Sequence, residues 1–127
     1  MLILLGRNAY WDITLQSHPD FTSNENTVIA GDFNYNPSIP ICREWDRQTY
    51  PLFPLLEKSG FRSAYHRNSG EGFGKETSPT IYMYRKENQP FHVDYIFSNQ
   101  KIKNCQIGRY GYWSKLSDHM PVVATLG

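Results

Sequence analysis

Short apolar runs alternate with polar turns along most of the chain, a pattern typical of strands. The first run covers residues 27–30 and follows a polar turn at 23–26. Later runs predict strands at 61–66, 79–85, 91–98, 101–109 and 120–126. Apolar side chains at helical spacing predict helices at 9–16 and 50–58, the second ending near Gly60. The segments 37–49, with its prolines, and 68–78, with three glycines, predict loops.

Strands of this length joined by turns indicate an α+β fold, with a mainly antiparallel sheet and one or two helices on one face. The 127 residues, of which 39% are hydrophobic and 15% aromatic, suffice for a modest core. They therefore form one domain or part of one. A formal net charge of +1 lacks the footprint of a dedicated nucleic-acid binder, but it is compatible with an enzyme that binds phosphate through local charges.

The two cysteines, Cys42 and Cys105, are not spaced as a CxxC pair, so neither a zinc site nor a disulfide framework is indicated. Unpaired thiols fit a cytoplasmic location. The apolar run 2–5 is too short for the core of a signal peptide, and no segment approaches the length of a membrane span. The sequence thus predicts no membrane partner.

Three short segments place polar and charged residues beside apolar runs: GDFN at 31–34, HVDYIF at 92–97 and SDHMPV at 117–122. Asp32 and Asn34 follow the first strand, at a strand-to-loop junction of the kind where catalytic groups concentrate. Carboxylates can hold a divalent cation or a water, and His and Asn can donate hydrogen bonds to phosphate. Together the segments favour metal-assisted hydrolysis of a phosphate ester.

The second segment carries a charge on a mostly apolar strand. Strand alternation places His92, Asp94 and Ile96 on one face of it. An ionised carboxylate is costly there unless it is paired, and a histidine is its natural partner. We prefer His119 to His92 as that partner, because His119 lies at the mouth of the predicted strand 120–126.

Each feature also has a purely structural reading. Asp32 and Asn34 are common turn formers after a strand, and Asp118 could cap a turn. Asp94 could pair with a Lys or Arg instead of a histidine. The aromatic segment 110–113 favours packing or a loop lid over a platform for stacked bases. These readings lose weight because all three segments occur together.

In this order, the three segments resemble the C-terminal half of the endonuclease/exonuclease/phosphatase family, which includes deoxyribonucleases, apurinic-site endonucleases, inositol polyphosphate phosphatases and sphingomyelinases. The stretches 63–66, 70–72 and 79–82 resemble a bacterial branch of that family. The resemblance implies that residues 1–127 are a single partial domain, half of a four-layered α/β sandwich whose N-terminal half is missing.

The resemblance also implies a role for each matching residue. Asp32 would orient or deprotonate the attacking water, and Asn34 would donate to a phosphate oxygen. Asp94 would orient His119, which would bind the scissile phosphate and stabilise its developing charge. Asp118 would lie beside Mg²⁺ as a direct or water-mediated ligand, with Mn²⁺ able to substitute.

Two further residues, His66 and Thr80, are expected to contact the substrate. A nuclease-like activity is preferred, but DNA, RNA, a nucleotide and a phosphorylated small molecule all stay open, because the motifs contact only the phosphate and the water. Substrate specificity is expected to reside in the predicted loops 37–49 and 68–78.

The missing half would carry the principal metal ligand, a Glu, so we expect at most trace activity from this chain alone. An exposed sheet face would need a cover, either the N-terminal half or a second copy in a homodimer. The alternative function is that of a non-catalytic remnant or interaction module that retains the fold. Survival of the whole polar set in the three segments favours the enzyme.

Overall fold

The computed structural model describes residues 13–48 and 51–127, without the side chain of Phe21, and within them the strands are short and antiparallel. The strands are β1 (Val28–Asp32), β2 (Arg62–Ser63), β3 (Ile81–Tyr82), β4 (Pro90–Phe91), β5 (Asp94–Ser98), β6 (Ile102–Ile107) and β7 (Val122–Leu126). One sheet has the order β1-β5-β2, and β3-β4 and β6-β7 form two-stranded sheets. The predicted α+β class with antiparallel pairing is confirmed, and the arrangement is consistent with part of a sandwich.

Helices are more numerous than the one or two predicted. Those that lie wholly within the described residues are Asp20–Ser23, Pro40–Gln48, Leu52–Lys58, Ala64–Ser69 and Tyr110–Trp113, with a 3-10 turn at Met83–Arg85. The helix predicted at 50–58 is confirmed as Leu52–Lys58, followed by Gly60 with a left-handed φ of 93°. Of the helix predicted at 9–16, residues 9–12 lie outside the described residues, and residues 13–17 are helical.

The loop predicted at 37–49 was wrong, because most of it is the helix Pro40–Gln48. Its proline stands at the first helical position, where the missing N–H costs no hydrogen bond. Ile39, directly before the helix, and Cys42 and Trp45 within it lie at three-residue spacing and pack on the core. Pro40 thus begins this helix rather than breaking it, so specificity contacts from this segment would come from a helix.

The strand predicted at 61–66 was also wrong beyond its first residues. Only Arg62 and Ser63 pair with β5, and the chain then turns into the helix Ala64–Ser69. Ala64 and Tyr65 are buried against Cys105 of β6, and this packing outweighs the strand-like pattern of the segment. The predicted strand 79–85 is likewise shortened to β3.

Strand β5 separates an aromatic core from the face that carries its carboxylate. Tyr95 and Phe97 are buried and contact Phe53, with ring centroids 4.8 and 5.5 Å apart. Asp94 and Ile96 are half-buried on the opposite face. The predicted alternation is confirmed from Asp94 to Phe97, and it keeps Asp94 off the core side of the sheet. It was wrong for His92, which precedes β5 and is buried with its ring 5.1 Å from that of Tyr95.

Among the described residues, no helix has both the length and the apolar character needed to cross a membrane. Cys42 and Cys105 are both buried, and neither forms a disulfide.

Candidate active site

Asp32 and Asp94 lie opposite each other at the end of one strand pair. β1 and β5 are antiparallel, and their register pairs Val28 with Ser98 at one end and Asp32 with Asp94 at the other. The pairing continues one residue further, where the Phe33 N–H donates to the carbonyl of Val93 at 2.9 Å. The sheet therefore sets the spacing of the two carboxylates.

A tight turn follows Asp32. Its Oδ1 accepts a hydrogen bond from the Asn34 N–H at 2.7 Å, as in turns that Asp commonly forms. Asn34 has a left-handed φ of 48°, which Asn tolerates better than most residues, and it is exposed. The carboxylate of Asp32 therefore forms the turn through Oδ1, while its Oδ2 lies on the side of His119.

Backbone contacts with the segment 80–82 hold His119 beside these carboxylates. Ile81 forms an antiparallel bridge with His119, and the Tyr82 N–H donates to the Asp118 carbonyl at 2.8 Å. The Met120 N–H donates to the Thr80 carbonyl at 2.7 Å. The third motif is thus fixed to the strand that leads toward β4, not directly to β5.

The geometry brings the three side chains together. His119 Nδ1 lies 2.9 Å from Asp94 Oδ2, and His119 Nε2 lies 3.9 Å from Asp32 Oδ2. The contact between Asp94 and His119 is the one the sequence predicted, and it fixes the tautomer with the proton on Nδ1. Burial disfavours the imidazolium, but the hydrogen bond and charge of Asp94, with the charges of Asp32 and Asp118, raise the pKa of His119 above its usual range.

Two small clefts lie at these strand ends. One, of about 210 Å³, has Asp94 in its lining. The other, of about 220 Å³, is lined by Asn34, Ile39, Ile81, Met83, Phe91 and Val93, and none of the three cluster residues lines it. Side chains at the cluster are half-exposed, with 36% of Asp32 and 33% of His119 accessible. One water or one phosphate oxygen can therefore contact both groups from solvent.

Thr80 lies beneath the cluster and does not face either cleft. It is fully buried, and its Oγ1 accepts hydrogen bonds from the N–H groups of Val93 at 2.9 Å and Asp94 at 3.0 Å. Its carbonyl accepts the bond from Met120. Thr80 therefore joins the backbone beside Asp94 to the backbone beside His119, and it supports the site without an exposed surface for substrate.

Removing the Thr80 hydroxyl should destabilise this junction. In Thr80→Val two buried N–H groups lose their acceptor, at a cost of about 1–3 kcal/mol. Thr80→Ser keeps the oxygen and serves as the matched control, with a loss of about 1 kcal/mol for the methyl group. Urea unfolding measures the free energy of unfolding of both variants. Equal losses of that free energy in Thr80→Val and Thr80→Ser would contradict this role for the hydroxyl.

His66 does not join the cluster. Its Nδ1 lies 2.7 Å from Ser63 Oγ and its Nε2 lies 2.8 Å from Glu76 Oε1, and the ring is nearly buried. Both ring nitrogens are therefore engaged inside the protein. In this structure His66 presents no free nitrogen to a phosphate, although the sequence suggested a substrate contact.

Glu76 is the residue that sequence reasoning missed. Its carboxylate, 3% exposed, also accepts hydrogen bonds from the Gly74 N–H and from Asn36 Nδ2. Burial opposes ionisation, but the bonds from His66, the loop backbone and Asn36 outweigh it and lower the pKa of Glu76 to about 2. No sequence signal distinguishes Glu76 from Glu71 of the same loop.

The cluster of described ligand-type groups contains Asp32, Asp94 and His119, with ligand atoms all within 4.8 Å of one another. Asp118 contributes its backbone carbonyl to Tyr82, and its carboxylate is not a member of that cluster. Carboxylate oxygens at this spacing are suited to a divalent cation, and an imidazole held by a carboxylate is suited to binding a developing anion.

Two carboxylates and an oriented imidazole are the kinds of group that acid–base and metal-assisted hydrolysis use. The chain belongs to the endonuclease/exonuclease/phosphatase family, whose model matches residues 6–119. Members of this family are generally hydrolases that act on phosphate esters, and they typically depend on a divalent metal. A search of curated proteins and a search of solved structures gave no match.

Proposed function

We propose that this chain provides the catalytic groups of a Mg²⁺-dependent phosphoesterase with nuclease-like activity. The observation that carries the proposal is the Asp94–His119 pair facing Asp32 across 3.9 Å. Family membership restricts the reaction class to phosphate esters. The proposal includes the view that residues 1–127 are a partial domain completed by an N-terminal half or by a second copy.

The proposed roles depend on where each group lies. Asp32 orients the attacking water or accepts its proton, because its Oδ2 is accessible and is not the oxygen that forms the turn. As the imidazolium, with a proton on each ring nitrogen, His119 donates from Nε2 to the scissile phosphate and from Nδ1 to Asp94. Asn34, exposed beside the second cleft, donates its amide to a phosphate oxygen. Each contact strengthens as charge develops on the phosphate, which is the requirement for catalysis.

The donor set fits a hard divalent cation. Mg²⁺ prefers carboxylates and usually keeps several waters, so an open cluster with accessible carboxylates meets its needs. Asp32 would hold it, since Asp94 is engaged with His119, and Asp118, whose carboxylate is not a member of the cluster, would act through a bound water. When bound, the cation would supply charge neutralisation at the phosphate. His119 and Asn34 stay the groups that contact the phosphate from the protein side.

Asp32→Asn tests the proposal. Hydrolysis of bis(4-nitrophenyl) phosphate with Mg²⁺ or Mn²⁺ should fall by about 100-fold or more, because the amide cannot accept the proton of the water. Asp20→Asn removes the same charge from an exposed acid of the helix Asp20–Ser23 and should leave the rate unchanged. High protein concentration is needed, because turnover by the chain alone is expected to be slight.

Equal rates in the native chain and both variants would contradict catalysis by this site. The alternative of a non-catalytic remnant predicts that result.

A further inference from the structure

Two segments next to the proposed site, 82–86 and 109–116, carry exposed aromatic and basic side chains. We term these two segments the aromatic–basic surface. Tyr84 is 77% exposed and Tyr112 is 64% exposed. Neither ring belongs to a core cluster of the described residues, so packing, one of the two readings that the sequence favoured for 110–113, does not account for Tyr112. Aromatic rings left in solvent beside a catalytic site are suited to a ligand with flat faces.

The two segments form one continuous surface with the site. The ring centroids of Tyr82 and Tyr110 lie 4.5 Å apart, and the Tyr110 hydroxyl donates to the Arg85 carbonyl at 2.8 Å. Tyr82 in turn donates its N–H to the carbonyl of Asp118, the residue before His119. These contacts join the surface to the segment that carries His119.

The backbone holds Tyr84 outward in an uncommon conformation. Tyr84 and Arg85 have φ values of 56° and 57°, in the left-handed region that large residues rarely adopt. The bond from Tyr110 and the bond from the Lys86 N–H to the Met83 carbonyl hold this turn in place. Strain of this kind is concentrated at functional positions.

The charges of the surface are mostly positive. Arg85, Lys86, Arg109 and Lys115 are exposed on it, and the exposed acid Glu87 lies at its edge. The Lys86 ammonium lies 6.0 Å from the centre of the Tyr84 ring. In a chain of net charge +1, this is a local concentration of basic groups among aromatic rings. It complements a polyanion that also carries aromatic rings.

We propose that the aromatic–basic surface binds single-stranded nucleic acid flanking the scissile phosphate, with bases stacked on Tyr84 and Tyr112 and phosphates beside the basic side chains. Stacking on exposed aromatic rings and contacts to the backbone are the two components of such binding. The inference rests on the proposed function, which places a phosphodiester at His119, and it names the polymer that carries that phosphate.

Fluorescence anisotropy tests the surface without turnover. A fluorescein-labelled oligothymidylate of about 12 nucleotides is titrated with the full chain in EDTA. Tyr84→Ala and Tyr112→Ala should each weaken binding by about 5-fold or more, whereas Tyr84→Phe keeps the ring and should bind like the native chain.

Salt dependence tests the charges. Lys86→Gln should lower the slope of log K against log salt by about 0.7, the value for one phosphate contact on a single strand. Lys101→Gln is the matched control, because Lys101 follows the Ser98 end of β5, opposite to the Asp94 end. Its slope should equal that of the native chain.

Oligonucleotide affinities equal to the native value in both alanine variants would overturn the inference. So would loss of binding to phosphatidylglycerol-containing vesicles in those variants with oligonucleotide binding intact, since the surface would then face lipid. Because anisotropy needs no hydrolysis, ring-dependent binding in a chain that hydrolyses nothing would sink only the proposed function. Normal hydrolysis of bis(4-nitrophenyl) phosphate with ring-independent binding would sink only this inference.

Discussion

Replacing His119 by alanine should lower phosphodiester hydrolysis by about 100-fold or more. The reason is positional: Nε2 is directed toward Asp32 while Nδ1 is held by Asp94, so the imidazole is already oriented before substrate binds. Alanine removes the donor to the phosphate and leaves the Asp94 carboxylate without its partner. Initial rates with bis(4-nitrophenyl) phosphate and Mg²⁺ or Mn²⁺ measure the effect.

Two further variants show whether the loss comes from this pair. Asp94→Asn keeps the shape of the side chain but removes the charge that orients the ring, so it should lower the rate by a smaller factor than His119→Ala. His18→Ala removes an exposed histidine that is not a member of the cluster, and it should keep the native rate. A His119→Ala rate equal to that of His18→Ala would exclude His119 from catalysis.

Replacing Glu76 by alanine should cost about 3 kcal/mol or more of the free energy of unfolding. The carboxylate accepts hydrogen bonds from His66, Gly74 and Asn36, so its loss leaves several buried donors without an acceptor. Urea unfolding followed by circular dichroism measures the change. Glu57→Ala, at an exposed position of the helix Leu52–Lys58, is the control and should change stability little.

The same carboxylate predicts a dependence of stability on acid. The pKa of Glu76 is lowered to about 2 in the folded chain from 4.5, so its contribution is present above pH 4.5 and is lost as the pH falls toward 2. Glu76→Gln cannot ionise and should lose less stability than the native chain over that interval. Stability is measured by urea unfolding at a series of pH values. An equal loss of unfolding free energy in the native chain and in Glu76→Gln between pH 4.5 and 2 would contradict this assignment.

The core of the site could be predicted from sequence because local rules position it. Asp94 follows from strand alternation, and its charge on an apolar strand requires a partner, which His119 provides. The turn at Asp32 and Asn34 follows from turn chemistry at a strand end. None of these rules gives the register that places Asp32 opposite Asp94, since register depends on pairing between segments far apart in the chain.

His66 and Thr80 have contacts that differ from those expected, because these contacts come from parts of the chain far away in the sequence. A histidine in the segment 63–66 looks the same whether it binds a ligand or, as here, a buried Glu76. Thr80 has a polar side chain near the motifs, but only the fold shows that its hydroxyl faces backbone amides. The prolines of 37–49 predicted a loop, but Pro40 begins a helix. A proline that starts a helix and one that breaks it look the same in a sequence, and only the conformation of their neighbours distinguishes them.

The opposite placement of Asp32 and Asp94 also limits how the length of the chain can vary. Deleting one residue within β1 would turn Asp32 to the other face of the sheet, because side chains alternate with a period of two. Insertions in the long connection between β1 and β5 leave that alternation intact and add only a small entropic cost. Related chains can therefore differ widely in loop length, but functional ones must keep the number of residues in β1 unchanged.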